Sequence, residues 1–125
     1  MRNFKLIDYI VILRLQSVYF LATGIWPLIS MSTFLKITGP KNDLWLVKVV
    51  GVLIGVIGMV LLTASFNKKR NNPVILLAIS SSIALASIDV IFYLSKTIPT
   101  IYLLDAVIEC VIIILWAWNI NKQQK

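Results

Sequence analysis

Thr38-Gly39-Pro40-Lys41-Asn42-Asp43-Leu44-Trp45-Leu46-Val47-Lys48-Val49-Val50-Gly51, followed by Gly55 and Gly58, is the stretch that decides the fold. Gly39-Pro40 is a turn signal. Asn42 or Asp43 can then accept hydrogen bonds from the free amides that open a helix, and Asp43 suits the positive end of its dipole. Trp45 marks a membrane–water interface. From Leu44 the chain stays apolar for about 20 positions, enough to cross a hydrocarbon core of about 30 Å at about 1.5 Å per residue. Lys48 breaks the run. Lys48, Gly51, Gly55 and Gly58 are spaced 3, 4 and 3 and therefore share one helical face. Gly51-x-x-x-Gly55 predicts close approach of a second helix. That seam is expected inside the bundle, with Lys48 set against protein; a homodimer seam is the alternative.

The rest of the chain repeats the pattern. Four apolar runs fall at roughly 10–30, 44–64, 74–94 and 99–119. Charged residues make up 14% of the chain, against about 25% in soluble domains. Backbone groups in lipid must bond within their own segment, so such runs are helices or barrel strands, and continuous apolarity excludes the barrel. The expectation is an all-α, four-transmembrane-helix bundle forming one integral membrane domain over residues 1–125. The net charge is +7. Arg2, Lys5, Arg14, Lys68, Lys69, Arg70, Lys122 and Lys125 lie at one set of helix ends, and Lys36, Lys41, Lys48 and Lys96 at the other. Basic residues favour the cytoplasmic side, so both termini and the 66–73 loop are expected there. The charge reads as topology and not as a nucleic-acid surface. With one cysteine and no histidine, no metal site, disulfide or cofactor is expected. Cys110 reads as a buried packing residue. Arg14 interrupts the first run, so that run reads as a retained helix and not a cleaved signal.

In chain order, Arg14 sits about one turn inside the first helix. It either snorkels to the surface or turns inward to an acid. Gln16, Thr23 and Pro27 fall near one stripe. Trp26 and Trp45 mark the outer interface, Trp116 and Trp118 the inner one. A short surface helix is expected over Ser30–Ile37. Asn72 reads as the cap of the third span with Pro73 at its first position. Ala78, Ser82, Ala86, Asp89 and Tyr93 line one stripe of that span. Pro99 is expected to start the fourth span, in which Asp105 and Glu109, four apart, share a face with Tyr102 above and Trp116 below. Asn119 to Lys125 reads as a polar tail.

Helical rise turns position into depth. Lys48, Asp89 and Asp105 lie about 6–9 Å below the outer helix ends, and Glu109 about 15 Å down, near the midplane. Ionisable groups inside a membrane cost several kcal/mol unless paired or hydrated, and mark functional sites. Lys48, Asp89, Asp105, Glu109, Arg14 and Tyr102 are the candidate ligand- or proton-binding residues. Gly51, Gly55 and Gly58 are the helix-packing residues. Three carboxyls facing one lysine cannot all ionise unaided. One carries a proton, or Arg14 contributes, or a cation or water joins them.

Gly24-Ile25-Trp26-Pro27-Leu28, Thr38-Gly39-Pro40-Lys41-x-Asp43-x-Trp45-Leu46-Val47-Lys48, and Ile88-Asp89 with Tyr102-Leu103-Leu104-Asp105-x-x-x-Glu109 resemble a family of small bacterial four-helix integral membrane proteins of unassigned function. The resemblance spans nearly the whole chain and implies a fold and an inner-membrane location, but no activity. A looser analogy is to the sterol isomerase and sigma-2 receptor group, which also places acids in a membrane pocket. The lack of histidine here departs from the isomerase pattern. Three functions are open: a module with an outward-facing acidic pocket that binds or transports a cation, amine or proton; a structural or accessory subunit; and, ranked last, an intramembrane acid/base enzyme. The expected partners are the lipid bilayer, a small cationic or lipid-like ligand, and a membrane protein or second copy.

Overall fold

The computed structural model describes residues 2–39, 42–67 and 69–124, with side chains given between residues 6 and 122. It contains α1 (Arg2–Ile29), α2 (Met31–Thr38), α3 (Leu44–Ser65), α4 (Asn72–Leu94) and α5 (Ile101–Gln124). Four of them are long and apolar enough to cross a membrane, over Leu6–Ile29, Leu44–Ser65, Asn72–Leu94 and Ile101–Lys122. The chain is an all-α bundle of four such spans, with α2 a short fifth helix. Pro40, Lys41, Lys68 and Lys125 lie outside the described residues, as do the side chains of Arg2 and Lys5, and with them part of the predicted turn and of the basic asymmetry.

Several helix ends differ from expectation by a residue or more. Asp43 is the N-cap of α3 but makes no side-chain cap bond, leaving only its charge to favour the helix dipole. Asn71, not Asn72, caps α4: its side chain accepts from Val74 N at 3.3 Å. Pro73 therefore stands second in the helix. At the other end, Lys96 adopts φ 61°. Its amide donates to Tyr93 O at 3.0 Å and that of Thr97 to Phe92 O at 2.9 Å. This is a Schellman closure with a lysine in the left-handed position that glycine usually takes. Pro99 precedes α5 by two residues, because amides 102 and 103 first bond back to Pro99 O and Thr100 O. Far from ending at Asn119, α5 continues through Gln124. Lys122 Nζ meets Asp8 Oδ2 at 2.8 Å, the ion pair found among the described residues, and ties the last turn to α1.

Two antiparallel pairs, α1 with α3 and α4 with α5, make the bundle, joined chiefly through α1 and α5. The α1–α3 seam explains the glycines. A Cβ on Gly24 would stand 2.6 Å from Gly51 O and 2.7 Å from Gly55 N, and one on Gly51 2.6 Å from Gly24 O. A Cβ on Gly58 would press on Leu21 N at 3.1 Å. Gly55 differs. Its backbone is in the seam, but its own Cβ would meet nothing within 4 Å, because it faces past α1. Three glycines thus set the approach, and one of them, Gly24, comes from the partner helix. Lys48 is exposed, not packed against protein as its shared face implied. It lies one turn above Gly51, which abuts Pro27, and there α1 runs out at Ile29.

Candidate functional site

Every long helix turns some polar residues inward, and those of α1, α4 and α5 form one column. At its centre is Gln16, fully buried on α1. Its Nε2 donates to Ala78 O at 2.8 Å and to Ser82 Oγ at 3.0 Å on α4, and its Oε1 accepts from Trp116 Nε1 of α5 at 2.7 Å. One side chain therefore bonds three helices. Each of these bonds is worth more than usual, because the alternative is an unmet polar group in an apolar medium. Trp116 is consequently a core residue and not an interfacial one; Trp118 alone faces outward there, beneath Lys122 Nζ at 4.7 Å.

Towards the α2 end the column becomes acidic. The small residues Ala78, Ser82 and Ala86 lead along the buried stripe of α4 to Asp89. On α5, Asp105 and Glu109 share the inward face with Trp116. Tyr19 Oη of α1 donates to Asp105 Oδ1. The Asp105 and Glu109 carboxyls are close enough to Asp89 to act on it electrostatically. Glu109 is 1% exposed and Asp89 7%. Both oxygens of Glu109 and Oδ2 of Asp89 are buried without a hydrogen-bond partner among the described residues. Ser82, which accepts from Gln16, neighbours Glu109 without completing a bond to it in good geometry.

The structure brings Asp89, Asp105 and Glu109 together and adds Tyr19. Tyr102 sits half-buried one turn above Asp105. Lys48 and Arg14 are not part of this group. Arg14 is exposed, its Nε 3.4 Å from Ser65 Oγ and its guanidinium 5.2 Å from the Phe66 ring centroid. It thus turns to the end of α3, away from the acids. No cation among the described residues faces the three carboxyls. Cys110, expected inside, is exposed, because the residue after Glu109 is rotated about 100° from it.

Towards the other end the column passes through apolar packing and then becomes basic. Tyr9 meets Trp116 edge-on, with ring centroids 5.9 Å apart. Arg70 lies over the Tyr9 ring at 5.4 Å and donates to Asn119 Oδ1 at 2.7 Å. Burial lowers the Arg70 pKa without discharging it. Tyr9 Oη accepts from Asn71 N at 3.2 Å. Of these residues Gln16 stands out in the sequence and Tyr19 and Tyr9 do not, their one signal being a phenol hydroxyl inside an apolar run. The partners of all three are hidden there, since pairing across helices depends on rotation and register.

No protein-family model, curated protein or solved structure matches this chain.

Proposed function

We propose that this protein is a multi-pass protein of a bacterial inner membrane whose α1–α4–α5 acid cluster binds a cation or proton. In this reading both termini and the α3–α4 loop are cytoplasmic, and the cluster opens outward. The eight-to-four distribution of basic residues supports that orientation. The observation that carries the functional reading is Glu109, a carboxyl buried to 1% exposure whose oxygens have no partner among the described residues, with Asp105 one turn away on its own helix. A structural tie would hold a partner. An unpartnered buried acid instead serves to take up and release positive charge.

Glu109→Gln tests this by keeping shape and polarity while removing the titration. A carboxyl that takes up and releases a proton inside the bundle makes the melting temperature depend on pH. Purified parent protein should show that dependence, and Glu109→Gln should fold normally and flatten it. Parallel pH profiles for the two proteins would remove the reading and leave an accessory subunit in its place.

A further inference from the structure

We infer that the acidic site exchanges protons, specifically, with the α2 end of the bundle alone, and that Gln16 is the positioning residue that closes it to the other end. This rests on the acidic-site reading above and adds the ligand and the route. Glu109 points to the proton: it is 1% exposed, neither of its oxygens has a hydrogen-bond partner among the described residues, and no basic side chain of the described residues is paired with it. A carboxyl so placed is met most simply by a hydrogen of its own.

The route follows from what surrounds the site. The groups facing Glu109 are Tyr19 from α1, Asp89 from α4 and Asp105 from its own helix. The lysines of α2 and α3 on this side, Lys36 and Lys48, are exposed and form no ion pair with it. Towards the α2 end Tyr19, Asp105 and Tyr102 are only half-buried, so water and headgroups reach the outermost carboxyl. Towards the other end every hydrogen-bonding direction used by Gln16 runs across the bundle: its amide hydrogens go to Ala78 O and Ser82 Oγ, and its oxygen takes the Trp116 indole hydrogen. Neither an amide nor an indole passes a proton on readily. Beyond them Ile12, Leu13 and Ile75 are buried apolar side chains, and buried Ser17, beside Gln16, gives its hydroxyl hydrogen to Arg14 O of its own helix at 2.9 Å. Past these, Asn119 stands about 15 Å from Glu109 along α5, with Arg70 bonded to it and lying over Tyr9. Ser82, bonded to Gln16, closes the acidic side.

The experiment uses the full chain in sealed vesicles, with its orientation assigned by an impermeant thiol reagent after Cys110→Ala and Asn71→Cys. Impermeant buffers step the pH on one face at a time. Infrared difference spectra follow the carboxyl band, assigned as the band lost in Glu109→Gln. A step on the α2 face should shift the band at once, whereas the same step on the α3–α4 loop face should not until the gradient collapses. Gln16→Ala should respond from both faces. Trp116→Phe, which removes the indole donor but keeps most of the packing, should do so to a lesser degree and serves where Gln16→Ala does not fold. Equal response of the parent from both faces overturns the one-sided route while leaving a titrating acidic site intact. Sidedness preserved in both variants overturns the role of Gln16. A Glu109 band that moves from neither face at any pH overturns this inference and the acidic-site reading together.

Discussion

Gly24→Ala isolates the α1–α3 seam with a single methyl group. Its Cβ would stand 2.6 Å from Gly51 O and 2.7 Å from Gly55 N. Both are backbone atoms of α3, so no rotamer change relieves the contact. Reaching an ordinary contact of 3.4 Å requires the helices to part by about 0.8 Å. A gap of about 0.5–1 Å forfeits a quarter to a half of each dispersion contact across it, and overpacking of this kind typically costs about 1–3 kcal/mol. Alanine returns up to about 1 kcal/mol of helix propensity, though propensity matters less in lipid. The net expectation is a loss of about 1–2 kcal/mol. Gly55→Ala is the internal control, because its Cβ meets nothing within 4 Å; it should be neutral or slightly stabilising. Reversible unfolding in mixed detergent micelles reads both. Gly24→Ala unfolding like the parent, or Gly55→Ala losing as much, would refute the seam geometry.

Three further outcomes follow from the same coordinates. Trp116→Phe leaves Gln16 Oε1 without its 2.7 Å donor, which should cost about 1–3 kcal/mol in the same assay; an unchanged midpoint would mean the buried amide finds another donor. Lys48→Gln should leave the pH profile of melting unchanged, since Lys48 is exposed on α3 and forms no ion pair with the acids, and a shifted profile would place it back among them. With Cys110 replaced, cysteines at Asn71 and Asn42 should label from opposite membrane faces, and same-face labelling would contradict the four-span topology.

The spans were legible in the sequence because burial in lipid requires continuous apolar runs of a fixed length, and Asp89, Asp105 and Glu109 stood out against them. The face shared by Asp105, Glu109 and Trp116 also followed from helical spacing. What spacing within one helix cannot supply is the identity of the neighbour. Lys48 shares a face with the glycines, yet α1 ends before reaching it. Gly55 belongs to a Gly-x-x-x-Gly pair, yet the contact is made by Gly24 against its backbone and not by its missing side chain. Trp116 resembled an interfacial tryptophan by position near a helix end, but α5 runs on to Gln124, which moves that end outward and leaves Trp116 inside. Gln16 stood out as polar, but its role is fixed by Ser82 and Trp116, which are 66 and 100 residues away.

That separation sets a timetable for biogenesis. At about 5–20 residues per second, the ribosome delivers Trp116 roughly 5–20 s after Gln16, given the 100 residues between them. The α1–α3 hairpin can close early, since Gly24, Gly51 and Gly58 are all made by then. Gln16 must wait, its amide without Ala78, Ser82 and Trp116, until α4 and α5 arrive. Asp89 and Glu109 then arrive at a pair of helices that already holds their docking face, Tyr19 and Gln16. A nascent chain stalled after α4 would already bond the Gln16 amide hydrogens to Ala78 and Ser82 but would leave its oxygen, and Asp89, without the partners that α5 brings.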